Sequence, residues 1–420
     1  MVVGRCHPMR GSLRFVVTAL VLAAAVALPA SAMATKKAAK KPVGVLYTET
    51  NSPKRNQVQI FHRYADGSVK FFKAVATGGS GGQQLQPGCM PTCPFLDTQG
   101  EVTLSSDGKL LFVVNAGSNS ITSFRVKPGG NLQKADVKPS GGKFPNSITT
   151  HGNVLYVLDS GIFPMPGPPV PGNVQGFHFN AAGHLTPIKG SNRPLTPTVP
   201  GLAREVGLNN KGTVLVASLL GNPTLATPTG SNSIDTFRIS ANGSASAATA
   251  HNATTPFPFG FAFDPNGHLI MSQVTSLTAP GTGDTASYNV SPTGALAPID
   301  TVGTKGTAPC WVEVSGNGKY AFVVNTGGGA PTGAFTTSYA ISPAGHLKFL
   351  ANTPVRKGEF VQTDEALSRD SKYLYVLAAA PPPTLAHHIN EYKVLGNGHL
   401  KFIGRTPDMA VPGTSGMAGL

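Results

Sequence analysis

Charged side chains that could act on a ligand stand at the beginnings of short apolar segments along the chain. Asp and Glu number only 19 among 420 residues, so acids at these places suggest a site. A carboxylate can activate water, and an arginine can hold a carboxylate or sugar ligand by charge-assisted hydrogen bonds. We therefore predict a catalytic group in which Arg204 lies beside Asp364 or Glu101, and whose members are Arg204, Glu205, Asp364 and Glu101.

Further residues at corresponding places are predicted to bind the same ligand. The single Trp of the chain, Trp311, offers an aromatic face to a flat or cyclic molecule. The predicted ligand-binding group is Asn146, Phe259, Trp311 and Gln362. The alternative interpretation is structural, because polar residues at strand ends also satisfy backbone groups or pair across a channel.

The cysteines indicate structure more than metal binding. Cys89 and Cys93 are predicted to close a small disulfide loop, because an exported chain meets oxidising surroundings. A metal site is the alternative, but it needs further Cys or His ligands, and the nearest is His62. Cys310, beside Trp311, is expected to be a small buried apolar residue. We predict no metal and no cofactor.

The N-terminus is predicted to be a signal peptide over residues 1–32. Three arginines precede an apolar run at residues 15–28, and small residues at 30–32 form a cleavage site. The run is short for a bilayer core of about 30 Å, although an uncleaved anchor is the alternative. A disordered Ala/Lys tail would follow at residues 33–42, and the folded domain would span 43–420. The expected location is secreted, periplasmic or in the cell envelope.

The net charge of +14 is spread thinly over the chain. A diffuse positive charge without a basic stripe does not indicate specific nucleic-acid binding. We expect a monomer without a transmembrane span after signal removal, with a small-molecule or carbohydrate-like ligand as its partner.

A repeat organises the chain. Gly turns recur about 55 residues apart, at Gly67, Gly130, Gly183, Gly243, Gly294, Gly345 and Gly398. Inner turns such as Asp107-Gly108 and Asn317-Gly318 are expected to be two-residue hairpin loops with positive φ at both central residues. Four strands in each unit, some of them apolar on both faces, predict an all-β seven-bladed β-propeller with four-stranded antiparallel blades.

The first unit has no first strand, whereas the last unit has all four. We predict that residues 411–420 supply the missing innermost strand and close the ring by pairing with the strand near residues 43–48. A frayed C-terminus is the alternative. Because neighbouring side chains alternate along a strand, Arg204 and Glu205 are not expected to serve the same mouth of the channel.

The repeat phrases at residues 104–117, 309–327 and 368–377 resemble the lactonase-family seven-bladed propellers, which include bacterial phosphogluconolactonases and fungal carboxymuconate-lactonising enzymes. The resemblance covers residues 43–420 and implies the propeller fold. It also implies Pro-His pairs at the starts of inner strands with Arg and Glu at the mouth. The corresponding slots here read Pro145-Asn146, Pro258-Phe259 and Pro309-Cys310.

Three functions follow as hypotheses, since the fold does not choose among them. The first is a secreted propeller scaffold that binds a small ligand or partner at the channel mouth. The second is a lactone or ester hydrolase, similar to 6-phosphogluconolactonase, that acts through Arg204 and the mouth carboxylates. The third is a structural envelope protein tethered by its Lys-rich tail.

Overall fold

The structure is a computed structural model, and it describes most of the chain beyond the N-terminal segment. Residues 84–86 and 89–93 are described by their backbone alone. The predicted signal peptide and most of the predicted tail lie outside the described residues and stay predictions. The described residues are 40–86, 89–93, 96–161, 170–196, 203–220, 233–275, 281–327, 334–356, 359, 361–380, 386–409 and 413–420.

Seven antiparallel sheets form the blades of a β-propeller, as predicted. Blades 1 to 3 and a two-stranded insertion contain β1 (Gly44–Glu49), β2 (Gln57–Arg63), β3 (Val69–Ala76), the insertion strands β4 (Gln84–Gln86) and β5 (Cys89–Cys93), then β6 (Val102–Leu104), β7 (Leu110–Asn115), β8 (Ser120–Val126), β9 (Leu132–Pro139), β10 (Pro145–His151), β11 (Val154–Asp159), β12 (Asn173–Phe179), β13 (Leu185–Pro187) and β14 (Arg193–Pro194). Two short 3-10 helices lie at Ala116–Ser118 and Pro128–Gly130.

Blades 4 to 7 repeat the four-stranded pattern, and one last strand returns to blade 1. They contain β15 (Ala203–Leu208), β16 (Val214–Leu219), β17 (Ser233–Arg238), β18 (Thr249–Asn252), β19 (Pro258–Phe263), β20 (Leu269–Gln273), β21 (Asp284–Val290), β22 (Leu296–Gly303), β23 (Pro309–Val314), β24 (Tyr320–Asn325), β25 (Phe335–Ile341), β26 (Leu347–Pro354), β27 (Val361–Leu367), β28 (Tyr373–Ala379), β29 (His387–Val394), β30 (Leu400–Arg405) and β31 (Ser415–Gly419).

The last strand closes the ring. β31 pairs antiparallel with β1, so that Leu46 lies opposite Gly419 and Thr48 opposite Met417. The predicted pairing of the chain's two ends is therefore confirmed. β31 covers the edge that β1 would otherwise leave open, and open edges of this kind are templates for aggregation.

The seven repeat glycines lie in the turns before the outermost strands. All have φ between 74° and 88°, a conformation that favours glycine. Each turn packs on the preceding blade: a Cβ added to Gly130 would lie 2.3 Å from Val45. The turn carbonyls also accept hydrogen bonds across the blade boundary, from Tyr47 to Gly130 at 3.0 Å and from Tyr156 to Gly243 at 2.6 Å.

The inner hairpin turns differ from the prediction. The N–H of Gly108 donates to the carbonyl of Ser105 at 2.8 Å, and in this turn only Gly108 has positive φ, at 70°. Asp107 accepts hydrogen bonds from the Lys109 amide and the Ser105 hydroxyl instead. The loop is thus longer than two residues and needs only one left-handed position, so the expectation of two was wrong.

Buried apolar residues of the described chain form seven clusters, and the clusters pack strands of neighbouring blades together. Tyr156 of blade 3, for example, shares a cluster with Leu215 and Phe237 of blade 4. Radial packing of this kind buries both faces of the inner strands, which explains their nearly continuous apolar sequence. None of the helices described has the length and apolar character of a membrane span.

Candidate functional site

β-Bulges mark the inner strands near their starts. The register shifts in β10, β15, β19, β23, β27 and β31. In β15, Ala203 lies opposite Leu219 and Glu205 opposite Ser218, so Arg204 is the extra residue. Bulges re-aim side chains. Arg204 and Glu205 serve different parts of the channel, as expected, but a bulge separates them and simple alternation does not apply.

Arg204 lies at the narrow end of the channel, where the inner strands begin. Its Nη1 lies 3.7 Å from Oδ2 of Asp97 and donates to the Asp97 carbonyl at 3.3 Å. Its guanidinium carbon lies 5.5 Å from the centre of the Phe259 ring. Burial raises the pKa of Asp97 to about 6, and the Arg204 charge opposes that rise. The arginine is therefore paired with Asp97 and not, as predicted, with Asp364 or Glu101.

Aromatic rings fill the same end. Trp311 and Phe259 are 1% and 2% exposed and meet edge to face, with 5.4 Å between ring centres. The indole N–H of Trp311 donates to the Thr98 carbonyl at 2.6 Å, which links blade 6 to the segment before β6. Trp311 thus packs inside the protein, and its faces are not presented to an entering ligand.

A glutamine crosses the channel beside these rings. The side chain of Gln99 donates to the Val312 carbonyl at 2.8 Å and accepts from the Val312 N–H at 2.9 Å. We call Asp97, Gln99, Arg204, Phe259 and Trp311 the plug. Two of the predicted ligand-binding residues also have structural partners: Asn146 donates to the Ala203 carbonyl at 2.8 Å, and Gln362 accepts from the Thr336 hydroxyl at 3.4 Å.

Beyond the plug, the channel opens into a cavity of about 430 Å³. Four carboxyl side chains from three blades line it, together with apolar residues from the second halves of the inner strands. Leu104, Phe263 and Leu367 at the ends of these strands are half-buried, so this side of the cavity faces solvent. We call it the carboxyl cavity, after Glu205, Glu313, Asp364 and Glu365.

The cavity carboxyls resist ionisation. Burial raises the pKa of Glu313 to about 8. Burial, and then the charge of neighbouring carboxylates, holds the pKa values of Glu205, Asp364 and Glu365 well above their usual range. Deeper in the channel, burial also raises the pKa of Glu101 to about 7, although Thr98 and Ser415 donate hydrogen bonds to it. Groups titrating near neutral pH are suited to proton transfer or to binding a cation.

One cavity carboxyl occupies a position that the scaffold fills with apolar residues. Glu365 lies opposite Val376 in its hairpin. By the same register, the corresponding inner-strand residues of blades 2 to 6 are Val102, Ile148, Val206, Phe261 and Val312. Packing between blades therefore does not require an acid at this position.

The structure brings together some of the predicted site residues and separates others. Glu205 and Asp364 both line the carboxyl cavity, whereas Arg204 lies in the plug. Glu313 was not predicted, although an acid inside an apolar inner strand was a usable signal. Glu101 makes structural contacts, because its Oε1 accepts hydrogen bonds from the hydroxyl groups of Thr98 and Ser415.

Cys310 is 4% exposed and its thiol contacts the Ala308 carbonyl at 3.4 Å. Burial raises the pKa of this thiol, which confirms the expected role as a small buried residue. The side chains of Cys89 and Cys93 lie outside the described part of the structure, so their disulfide stays a prediction. Their strands pair with Gln84 opposite Cys93.

In blade 7, acidic side chains lie beside His388. Nε2 of His388 lies 2.9 Å from Glu359, and its Nδ1 lies 3.4 Å from Asp408. Asn390 donates to the same Glu359 at 3.0 Å. Within the described residues, no group of three His, Cys, Asp or Glu side chains has an arrangement suited to a metal ion.

Comparison with known proteins supports the propeller fold. Residues 54–160 match the family model described as a lactonase, seven-bladed beta-propeller. No curated protein matches the sequence significantly.

Solved structures share the architecture at low sequence identity. The periplasmic gluconolactonase PpgL of Pseudomonas aeruginosa has a TM-score of 0.63 and 19% identity over 90% of this chain and 98% of its own. A Bacteroides fragilis protein described provisionally as a 6-phosphogluconolactonase has a TM-score of 0.58 and 16% identity over 90% and 98%. A Sulfolobus tokodaii protein described provisionally as selenium-binding has a TM-score of 0.63 and 12% identity over 90% and 94%.

Neighbours with such different descriptions show that these likenesses concern the fold. Together with the seven blades, these likenesses identify the chain as a seven-bladed β-propeller, in which residues 54–160 resemble the lactonase propeller family.

Proposed function

We propose that this chain is an exported propeller that binds a small molecule in the carboxyl cavity. The observation that carries the proposal is the cavity itself, with a volume of about 430 Å³. Ligand pockets commonly measure roughly 300–1,000 Å³ and combine apolar walls with a few convergent polar groups. The cavity has both, since Phe261 and Leu208 line it beside the four carboxyls.

The plug changes where along the channel we place the ligand. Sequence reasoning placed the ligand at the starts of the inner strands, but Phe259 and Trp311 are buried there. The opposite halves of the same strands carry the cavity and its half-buried rim. Binding at this other end of the channel is therefore the form of the proposal that the geometry supports.

A ligand screen with a blocking variant tests this proposal. Thr149 lines the cavity and is half-buried, whereas its neighbour Thr150 is half-buried without lining it. Ligand-observed NMR with a fragment library should detect binders of the intact protein whose signals are lost with Thr149→Trp and retained with Thr150→Trp. The proposal would be contradicted if the library contained no such binders, or if the binding signals persisted with Thr149→Trp.

Export is the second part of the proposal. It rests on the arginines, apolar run and small residues within residues 1–32. Expression of the full chain in a bacterial host, followed by cell fractionation and N-terminal sequencing, should yield a product outside the cytoplasm that begins at Met33. An intact N-terminus on cytoplasmic protein would refute export.

Lactone hydrolysis is a second candidate, favoured by the position of Glu313 in the wall of the carboxyl cavity. The pKa of Glu313 is raised to about 8, which suits a general acid or base near neutral pH. Hydrolysis through this group predicts that Glu313→Gln lowers kcat on a responsive lactone by about 10²–10⁴-fold, whereas Arg204→Ala does not. The earlier hypothesis of an Arg204-dependent hydrolase predicts the reverse. A lactone panel with both variants separates them, and absence of hydrolysis removes both.

A further inference from the structure

We propose that the carboxyl cavity is selective for an organic cation, such as a primary ammonium or a guanidinium attached to an apolar body. The inference rests on the proposed binding function and names its ligand class. Three features support this inference: the acidic walls of the cavity, an unpartnered oxygen of Asp364, and the pairing of Arg204 with Asp97 outside the cavity.

The walls of the cavity are acidic although the protein is basic. Lys and Arg outnumber Asp and Glu by 33 to 19 in the whole chain. Among the described residues that line the cavity, four are acids and none is Lys, Arg or His. An anionic ligand would meet like charge or neutral carboxyl groups there and no cationic side chain among these residues, so the cavity is poorly suited to a phosphorylated or carboxylated molecule.

Arg204 already pairs with Asp97, an acid outside the cavity lining. Arg204 lies in the plug, 3.7 Å from Oδ2 of Asp97 and over the Phe259 ring. Its charge acts on Asp97 and Cys310, whereas the strongest charge effects on Asp364 come from other carboxylates. The protein thus provides the acids of the cavity with no positive partner from this side.

An acceptor atom is left available. Asp364 is 2% exposed and lines the cavity. Its Oδ1 accepts the N–H of Glu365 at 2.7 Å, whereas its Oδ2 has no hydrogen-bond partner in the described structure. A buried polar oxygen without a partner is costly, and the N–H of a cationic ligand that displaces the proton of this carboxyl would satisfy it.

The presence of Glu365 strengthens this interpretation. The blades pack with apolar residues at the equivalent position, so the acid adds charge repulsion without serving the scaffold. Repulsion from Glu313 and Asp364 raises the pKa of Glu365 in addition to burial. A cation would reverse these effects, because a positive charge nearby favours the ionised form of each carboxyl.

The shape and chemistry favour an organic cation over a metal ion. The described residues contain no cluster suited to a metal, while Val206, Leu208 and Phe261 give the cavity apolar walls. An ammonium or guanidinium group would reach the carboxyls, and its apolar body would pack on these walls. A neutral polyol is the main competitor, since protonated carboxyls also bind hydroxyl groups.

Three matched probes distinguish these ligands: benzylamine, benzyl alcohol and benzoate. Isothermal titration calorimetry at pH 7 in phosphate and in HEPES should show benzylamine binding at least tenfold tighter than benzyl alcohol, with no binding of benzoate. The benzylamine enthalpy should differ between buffers, because the arriving cation displaces protons from the carboxyls. Equal affinity for the alcohol, binding of benzoate, or no binding of benzylamine would overturn the proposal.

Two variants locate the effect. Glu365→Leu introduces an apolar residue, as blades 2 to 6 carry at this position, and should fold while weakening benzylamine binding at least tenfold. Asp159→Asn removes a buried carboxyl that does not line the cavity and should leave the affinity unchanged. If Thr149→Trp blocks all three probes but Glu365→Leu has no effect, the cavity binds ligands without cation selectivity. If neither Thr149→Trp nor Glu365→Leu changes the affinity for benzylamine, both proposals are wrong.

Discussion

The two ends of the central channel are made from the same inner strands but differ in how their polar groups are satisfied. In the plug, the indole of Trp311 and the amide of Gln99 hydrogen-bond across the channel, and Arg204 contacts Asp97. In the carboxyl cavity, acids such as Asp364 lie buried beside other acids. The difference shows that the start of a strand can stabilise the ring while its later residues line an open cavity.

Bulges make this division possible. In β15 the extra residue, Arg204, belongs to the plug, and the next residue, Glu205, belongs to the cavity. Glu205 accepts a hydrogen bond from the Phe261 amide of the neighbouring blade. The bulge therefore separates two charged neighbours into different environments without interrupting the sheet.

The largest effect is expected from removing a wall that both ends share. Ser415 of β31 donates to Glu101 at 2.9 Å, and Met417 lines the cavity. Deletion of residues 414–420 should abolish cooperative unfolding in denaturant, because the edge of β1 becomes exposed and the ring opens. Met417→Leu keeps the strand and serves as the control. A deletion variant with unchanged cooperativity would contradict ring closure by β31.

A large effect confined to the plug is expected from Trp311→Ala. Truncating a buried Trp costs about 3–5 kcal/mol of unfolding free energy. Trp311→Phe should cost less, since it keeps most of the ring while losing the bond to Thr98. Denaturant unfolding measures both, and benzylamine affinity of the folded variants should be unchanged. Loss of binding would show that the two ends are coupled.

The carboxyl cavity should produce an unusual pH dependence of stability. Burial raises the pKa of Glu313 from 4.5 to about 8, so the folded state keeps a proton that the unfolded state loses between these values. Its contribution is full below about pH 4.5 and is lost as pH rises through 8. The unfolding free energy should therefore fall between pH 5 and 8, and Glu313→Gln should reduce that fall by on the order of 1 kcal/mol or more.

A surface acid provides the comparison for this measurement. Burial raises the pKa of the Asp370 carboxyl, but hydrogen bonds from Ser368 and Lys372 and the charge of Lys372 together outweigh burial and lower it. The contribution of Asp370 is therefore constant between pH 5 and 8 and is lost only as pH falls further, so Asp370→Asn should leave the slope between pH 5 and 8 unchanged. A slope between pH 5 and 8 that survives Glu313→Gln would show that Glu313 is not a source of it.

The smallest effect is expected at the cavity rim. Leu104 is half-buried, whereas Val102, two residues earlier in β6, is 2% exposed. Leu104→Ala should cost about 1 kcal/mol and Val102→Ala more, although valine loses fewer atoms, because the buried site leaves a cavity. Chemical denaturation of both variants measures the ranking. A larger cost for Leu104→Ala would mean that the rim is packed more tightly than the structure shows.

The ring was predictable because its signals are local. Turn glycines such as Gly130 and Gly183 recur at regular intervals, and the missing first strand near Val45 implies a partner from the other end of the chain. The site was less predictable. Neither the Arg204 bulge nor the bond from Trp311 to Thr98 leaves a mark in the sequence, because both depend on contacts between distant segments.

The acids show the same limit. Glu205 and Asp364 were recognised from their places in the repeat, but Asp364 was expected to lie beside Arg204. The three-dimensional arrangement separates Arg204 from them and adds Glu313 to the group. The acid at 365, in contrast, departs from the apolar residues of other blades, a signal that an alignment of the chain with itself contains.

Thiol reactivity gives the most direct test of a channel that is closed at the plug and open at the carboxyl cavity. Native Cys310 lies at the plug, and Thr149→Cys places a thiol on the half-buried cavity wall. The folded variant would be treated with iodoacetamide and the labelled peptides identified by mass spectrometry. We predict rapid labelling at position 149 and protection of Cys310 until the protein unfolds. Rapid labelling of Cys310 with protection at position 149 would contradict the proposed division of the channel.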